Sequence, residues 1–345
     1  MDVAECILDG NADAVEFCPH SSFSHVLAAS TYTLQEGDQP SRSGSISIFN
    51  VNVEIGCLEL LHRVETAGIF DIKWSPVGQT GSPLLAQADA DGCLRIHALE
   101  YSSNGSEGER EHIRERCTSK VSSSMCLCLD WNSSASAISV GHSDGFISIL
   151  SARESHLEVQ NQWKAHEFEL WATSFDSHQS HLVYTGSDDC KFSCWDLRDT
   201  PSKAFHNTKT HKMGVCCIAK SPSDPYKLLT GSYDEHLRVW DMRSISKPMN
   251  ETSICLGGGV WKIKPHPSVF DVVLAACMHN GFAIVRVKDD DAEVVETYGK
   301  HGSLAYGADW KRGDSSQEDK RKRYAVATCS FYDRLLKIWI PETDI

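Results

Sequence analysis

The segments LVYTGSDDCKFSCWDLR (182–198) and LLTGSYDEHLRVWDMR (228–243) decide the fold of this chain. Each opens on a short apolar run, reverses at a Gly-Ser-x-Asp turn and closes on an alternating stretch, KFSCW or LRVW. Period-two alternation bounded by Gly, Ser and Asp is the signature of a hairpin of half-buried strands and gives no support to helix.

Working outward, a strand signal that runs into a chain reversal recurs at EFCPHSS, IKWSPVG, LDWNSSA, TSFDSHQ, IAKSPSD, IKPHPSV and ADWKRGD. Corresponding residues are Phe17, Trp74, Trp131, Phe175, Lys220, Pro265 and Trp310, at intervals of 57, 57, 44, 45, 45 and 45. Self-similarity at near-constant spacing predicts an array of like units. Their expected spans are roughly 13–65, 68–119, 125–165, 170–211, 214–256, 259–300 and 304–342. Residues 1–10 are assigned to the last unit, because VAECILD supplies an outer strand and no strand signal follows Ile340.

The two quoted units resemble WD40 repeats. That resemblance implies four-stranded blades in which an Asp in the turn between the second and third strands bonds a His ahead of the first strand and so orders a Trp. Matching residues are Asp189, His166 and Trp195, then Asp234, His211 and Trp240, then Asp333, His301 and Trp339. Other units are degenerate, as in ADADGCLRIHA with His97 where Trp would stand. The expected fold is an all-β, seven-bladed WD40 β-propeller closed as one domain, whose radial repetition leaves only short protected edges.

Composition narrows the function. The 345 residues carry 33 Lys and Arg against 47 Asp and Glu, a net charge of −14, so there is no basic footprint for nucleic acid. No Lys- or Arg-led apolar stretch follows Met1 and no long apolar run occurs, so neither a secretory signal nor a membrane span is expected, and the expected location is cytoplasmic. The fourteen cysteines lie mostly in strand-like runs without CxxC spacing, which fits reduced packing thiols better than zinc or disulfides. The polar stretches 31–45, 101–112 and 311–323 read as exposed loops, and KRKR (320–323) as a solvated face or a nuclear signal.

Two short motifs invite functional readings. Gly141-His142-Ser143-Asp144-Gly145 is a literal G-x-S-x-G, but a nucleophile elbow needs a strand-to-helix turn, and here Asp144-Gly145 is an ordinary hairpin turn. WDLR and WDMR, ending at Arg198 and Arg243, resemble the WDxR box of cullin-type ubiquitin-ligase receptors, although the repeat consensus also generates it.

Seven further segments depart from a generic repeat: KAHEFELWATSF (164–175), HKMGVCCI (211–218), GSYDEH (231–236), GGGVWKIKPHP (257–267), LAACMHNGF (274–282), YGADW (306–310) and ATCSFYD (327–333). Together with DAVEFCP and FDIKW nearer the start, they resemble the WD-repeat diphthine methylesterase family, also called diphthine methyltransferase. The resemblance implies hydrolysis of the methyl ester of methylated diphthine, a modified histidine of elongation factor 2, to diphthine and methanol. Amidation to diphthamide can then proceed.

The substrate group carries a trimethylammonium centre, which cannot donate a hydrogen bond and is held best by aromatic faces near negative charge. Trp171, Trp261, Tyr306 and Phe331 are the cage candidates, with Glu167, Glu169 and Glu235 as acidic neighbours; aromatics at strand starts also pack between blades. For hydrolysis, His279 is the candidate base with Asp309 to orient it, and the Gly258 and Gly259 N–H groups are candidate oxyanion donors. His279 read plainly is a satisfied turn residue, and Asp309 a residue bonded within its blade. No cofactor or metal is called for. The competing reading is a non-catalytic scaffold or ligase receptor working through Arg198 and Arg243.

Overall fold

Alternating, β-rich segments at that spacing pair locally, and the computed structural model shows seven four-stranded sheets, each antiparallel. It describes residues 1–37, 40–76, 81–102, 110–153, 156–221, 224, 226–288, 291–313 and 324–343. The seven innermost strands are Asn11–Phe17, Ile69–Trp74, Cys126–Trp131, Leu170–Phe175, Val215–Lys220, Lys262–Pro265 and Ala305–Trp310, one for each of blades 1 to 7. Blade 7 takes its outer strand, Asp2–Ile7, from the other end of the chain, pairing Asp2 with Trp339 and Ile7 with Leu335. The fold is therefore a closed propeller.

Blades pack face to face on apolar side chains. Between blades 7 and 1 the layer contains Val15, Phe17, Leu27, Phe49, Leu336 and Ile338, all buried. Burial of each such side chain stabilises by about 1.5–3 kcal/mol. The residues that set the spacing also tie blades together: the indoles of Trp74, Trp131 and Trp310 donate to the carbonyls of Glu16, Lys73 and Lys264 on the preceding blade.

A polar girdle closes the ring from inside. Carboxylates on one inner strand accept a backbone N–H of the next: Glu16 from Trp74 (3.2 Å), Asp71 from Leu129 (3.2 Å), Asp130 from Phe175 (2.8 Å) and Asp309 from Phe17 (2.7 Å). Lysines neutralise them. Lys73 and Lys220 share Asp130 at 3.1 and 3.2 Å, Lys264 bridges Glu16 and Asp309, and Lys262 reaches across from blade 6 to Asp71 of blade 2 at 2.8 Å.

The His-Asp-Trp networks differ from one another. In blade 4 the Trp195 indole donates to Thr185 Oγ1 (2.9 Å), which meets His166 Nε2 (2.7 Å), and His166 Nδ1 meets Asp189 (3.0 Å). In blade 5 Trp240 and His211 meet on Thr230 in the same way, yet Asp234 is not bonded to His211. Arg238 lies beneath the turn and captures both Asp234 oxygens at 2.8 Å, leaving His211 Nδ1 buried and unpartnered. In blade 7 Ser330 stands between His301 (2.6 Å) and Asp333 (2.5 Å), so the expected direct contact becomes a relay.

One loop expectation changes, and one turn is as read from the sequence. Residues 31–45 are mostly strand, because Val26–Gln35 and Ser41–Asn52 form one long hairpin whose ladder runs out to Gln35 and Ser41. Ser143-Asp144-Gly145 is the turn of a hairpin, with Gly145 at φ +80°, and Ser143 Oγ accepts the Met125 N–H. Residues 103–109 and 314–323, which include the KRKR run, lie outside the described residues.

All fourteen cysteines are free, and eight of them are buried. Among the described residues no helix is long and apolar enough to cross a membrane.

Candidate active site at the central opening

Each inner strand except that of blade 6 shifts register near its start, where an extra residue is left unpaired. Such bulges re-aim a side chain. The residues set free are Asp13, Phe70, Leu127, Trp171, Cys216 and, with Gly307, Tyr306. Trp261 occupies the matching place immediately before Lys262 of blade 6. One rung of the propeller thus carries four aromatic side chains and one carboxylate.

These rings converge on the axis. Trp171 of blade 4 reaches over blade 5 to meet Trp261 of blade 6, with centroids 5.4 Å apart. Trp261 stacks on Tyr306 (4.8 Å), and Tyr306 meets Phe331 (5.1 Å). The arc continues from Phe331 to Tyr32 (6.2 Å) and from Tyr32 to Phe70 (4.8 Å), while Tyr233 backs Trp261 at 5.9 Å. All seven rings are half-buried, so their faces are partly open to solvent. A cavity of about 220 Å³ lined by Trp171, Cys216, Lys262 and Asp71 lies along the axis.

Two polar atoms on this rung are buried without a hydrogen-bond partner: Asp13 Oδ1 and Trp171 Nε1. Buried polar groups are ordinarily satisfied, so an orphaned acceptor and donor on the same rung make it the candidate ligand site. Burial drives the Asp13 carboxyl well above the usual range; Lys262 works against that shift and Asp71 adds to it. Burial likewise raises the Tyr233 and Tyr306 phenols, and the nearby Asp13 charge raises them further.

Trp171, Trp261, Tyr306 and Phe331, expected as a cage, are therefore assembled into one arc. Glu167 and Glu235 are exposed and Glu169 is half-buried; among the described residues none of the three forms an ion pair. Gly258 and Gly259 are buried where a Cβ would strike the Cys277 carbonyl or the Met278 sulfur, and their N–H groups donate to nothing among the described residues.

His279 and Asp309 are not brought together. Met278 bridges Ala305 at the start of the blade 7 inner strand, and Asp309 lies four residues further along it, about 13 Å at the usual rise per residue. Asp309 is committed to the Phe17 N–H and to Lys264. His279 does hold the place of the turn Asp, three residues after Ala276 as Asp234 is three after Gly231, yet it is exposed, and its neighbour Asn280 donates to the Leu256 carbonyl at 2.6 Å.

Sequence reading missed Asp13, Phe70, Tyr32 and Tyr233. Asp13 was legible in principle, since DAVEF aligns with YGADW once Phe17 is set against Trp310, which places Asp13 opposite Tyr306. Arg198 and Arg243 are exposed and folded back onto Asp196 and Asp241, two residues earlier in each case.

The WD40 family model, "WD domain, G-beta repeat", matches residues 157–196 and 202–241. The chain is 34% identical to human diphthine methyltransferase over 87% of its own length and 72% of the relative's. It belongs to the diphthine methyltransferase family. A Dictyostelium discoideum protein called diphthine methyltransferase homolog is 31% identical, with 97% of each chain covered. A solved chain from "Crystal Structure of Mitotic Checkpoint Complex" superposes with a TM-score of 0.71 over 99% of this chain and 92% of that one, and at 17% identity it supports the fold alone.

Proposed function

We propose that this chain is an ester hydrolase of diphthamide biosynthesis, which removes the methyl group of methylated diphthine on elongation factor 2 and releases methanol. The observation that carries this reading is the aromatic arc at the central opening, with a buried carboxylate on its rung. A quaternary ammonium has no N–H to donate and is attracted by ring faces and negative charge, which this rung provides. The partly open socket suits one long side chain presented by a large protein partner. The family's name for its relatives points to the same substrate group.

The unpartnered N–H groups of Trp171, Gly258 and Gly259 are the donors available to the ester oxygen as negative charge develops on it. Glu167, Glu169 and Glu235 supply unpaired negative charge for the approaching cation. The test is to incubate the purified chain with elongation factor 2 carrying the methyl ester and weigh the product. Loss of one methylene mass is expected; a gain would indicate methyl transfer instead, and an unchanged mass would sink the reading. No observation favours the ligase-receptor alternative.

A further inference from the structure

We infer that Asp13 is the general base of this site, the group that takes the proton from the attacking water. The assignment rests on the ester-hydrolase reading above and adds to it the identity of the reacting group. Asp13 is 5% exposed, its Oδ1 has no partner, and the bulge at the head of its strand puts it on the rung whose aromatic side chains converge on the axis. The other acids of the inner strands are spent on the girdle: Glu16, Asp71, Asp130 and Asp309 each accept a backbone N–H and face a lysine. Among the described residues of these strands, Asp13 is the carboxylate left over.

The surroundings fit a base that works only when substrate is present. Facing Asp13 are Lys262 and Asp71, already paired with each other, and the phenols of Tyr306 and Tyr233. Without a counter-ion burial favours the protonated carboxyl; a fixed positive charge lodged in the arc favours the carboxylate. The trimethylammonium and the ester of such a side chain are borne on one carbon, so the cation that ionises Asp13 also brings the carbonyl beside it. Asp13 then accepts one proton from water while the water oxygen bonds to the carbonyl carbon and the carbonyl electron pair moves onto oxygen. Collapse of that tetrahedral anion breaks the bond to methoxide, which takes the proton back from Asp13 and leaves as methanol.

The experiment compares the parent chain with Asp13→Asn and Asp13→Ala on elongation factor 2 carrying the ester, with thermal unfolding as the check on folding. Turnover by Asp13→Asn is expected to fall roughly 10²- to 10⁴-fold, the usual worth of a positioned base, with the factor still captured. Added formate is expected to restore part of the turnover of Asp13→Ala, and chloride at equal strength none. Near-parental turnover by Asp13→Asn, or a folded Asp13→Ala that formate leaves inert, overturns the assignment. Loss confined to His279→Ala overturns it in favour of the histidine. An inactive parent chain overturns the ester-hydrolase reading itself, and Asp13 as its base with it.

Discussion

Trp261 touches Trp171, Tyr233 and Tyr306, so its removal breaks the arc in the middle. Trp261→Ala is expected to weaken binding of a tetramethylammonium probe about tenfold, some 1.4 kcal/mol, by calorimetric titration. Trp171→Phe keeps an aromatic face but removes the orphaned N–H; the expected result is a kcat at least about tenfold lower with KM little moved. A third substitution concerns the hydroxyl that sequence reading overlooked. Thr185→Val strips the shared partner from Trp195 and His166, and is expected to lower unfolding free energy by about 1–3 kcal/mol in denaturant titration. His, Asp and Trp were legible because their chemistry is unusual in a strand, whereas Thr185 looks like any β-branched strand residue. Asp13 stayed hidden for another reason: its meaning depends on what stands opposite it in six other blades.

Spacing made the seven repeated units legible, because every unit must bury the same two faces at the same distance from the axis. It could not show which strand ends carry bulges, since a bulge inserts one residue without changing the apolar pattern. Nor could it separate a loop from a polar hairpin, and Thr31–Gln35 with Ser41–Ser45 reads as turn-rich although its ladder resumes at Thr33 and Ser43 and runs out to Gln35 and Ser41. Asp309 shows the same limit at the level of the inner strand. In sequence it flanks a Trp in a distinctive segment, which invites a catalytic role; in space it fastens blade 7 to blade 1 through the Phe17 N–H. Asp309→Ala leaves that N–H unpaired and removes one partner of Lys264. The expected cost is about 1–3 kcal/mol, read from the midpoint of chemical unfolding.

The whole molecule stores neutral histidines in its core. Burial holds His97 and His142 down at about 4 and His211 at about 3, against 6.5 in an unfolded chain. The unfolded state therefore binds protons that the folded state refuses, so this stabilisation is complete above pH 6.5 and lost as pH falls toward 4, at up to about 1.4 kcal/mol per pH unit for each group. At Asp234 burial opposes ionisation, but Arg238 and the Lys212 N–H outweigh it and hold the carboxyl at about 2, which extends the loss below pH 4. Scanning calorimetry from pH 7.5 to 4.5 is expected to show a melting temperature that declines throughout, and a flat profile would contradict this account.

Closure of blade 7 by residues 2–7 also has a consequence for synthesis. The partner strand, Leu335–Trp339, lies beyond the other six blades in the chain, so residues 2–7 cannot pair with it until those blades have been made. Loop-closure entropy makes such a pairing slow to form. Until then a nascent chain holds six complete blades and one bare strand edge, open to pairing with a neighbouring polypeptide on the same message. Factors that shield nascent β-edges are thus expected to matter more to the yield of this protein than to its finished stability.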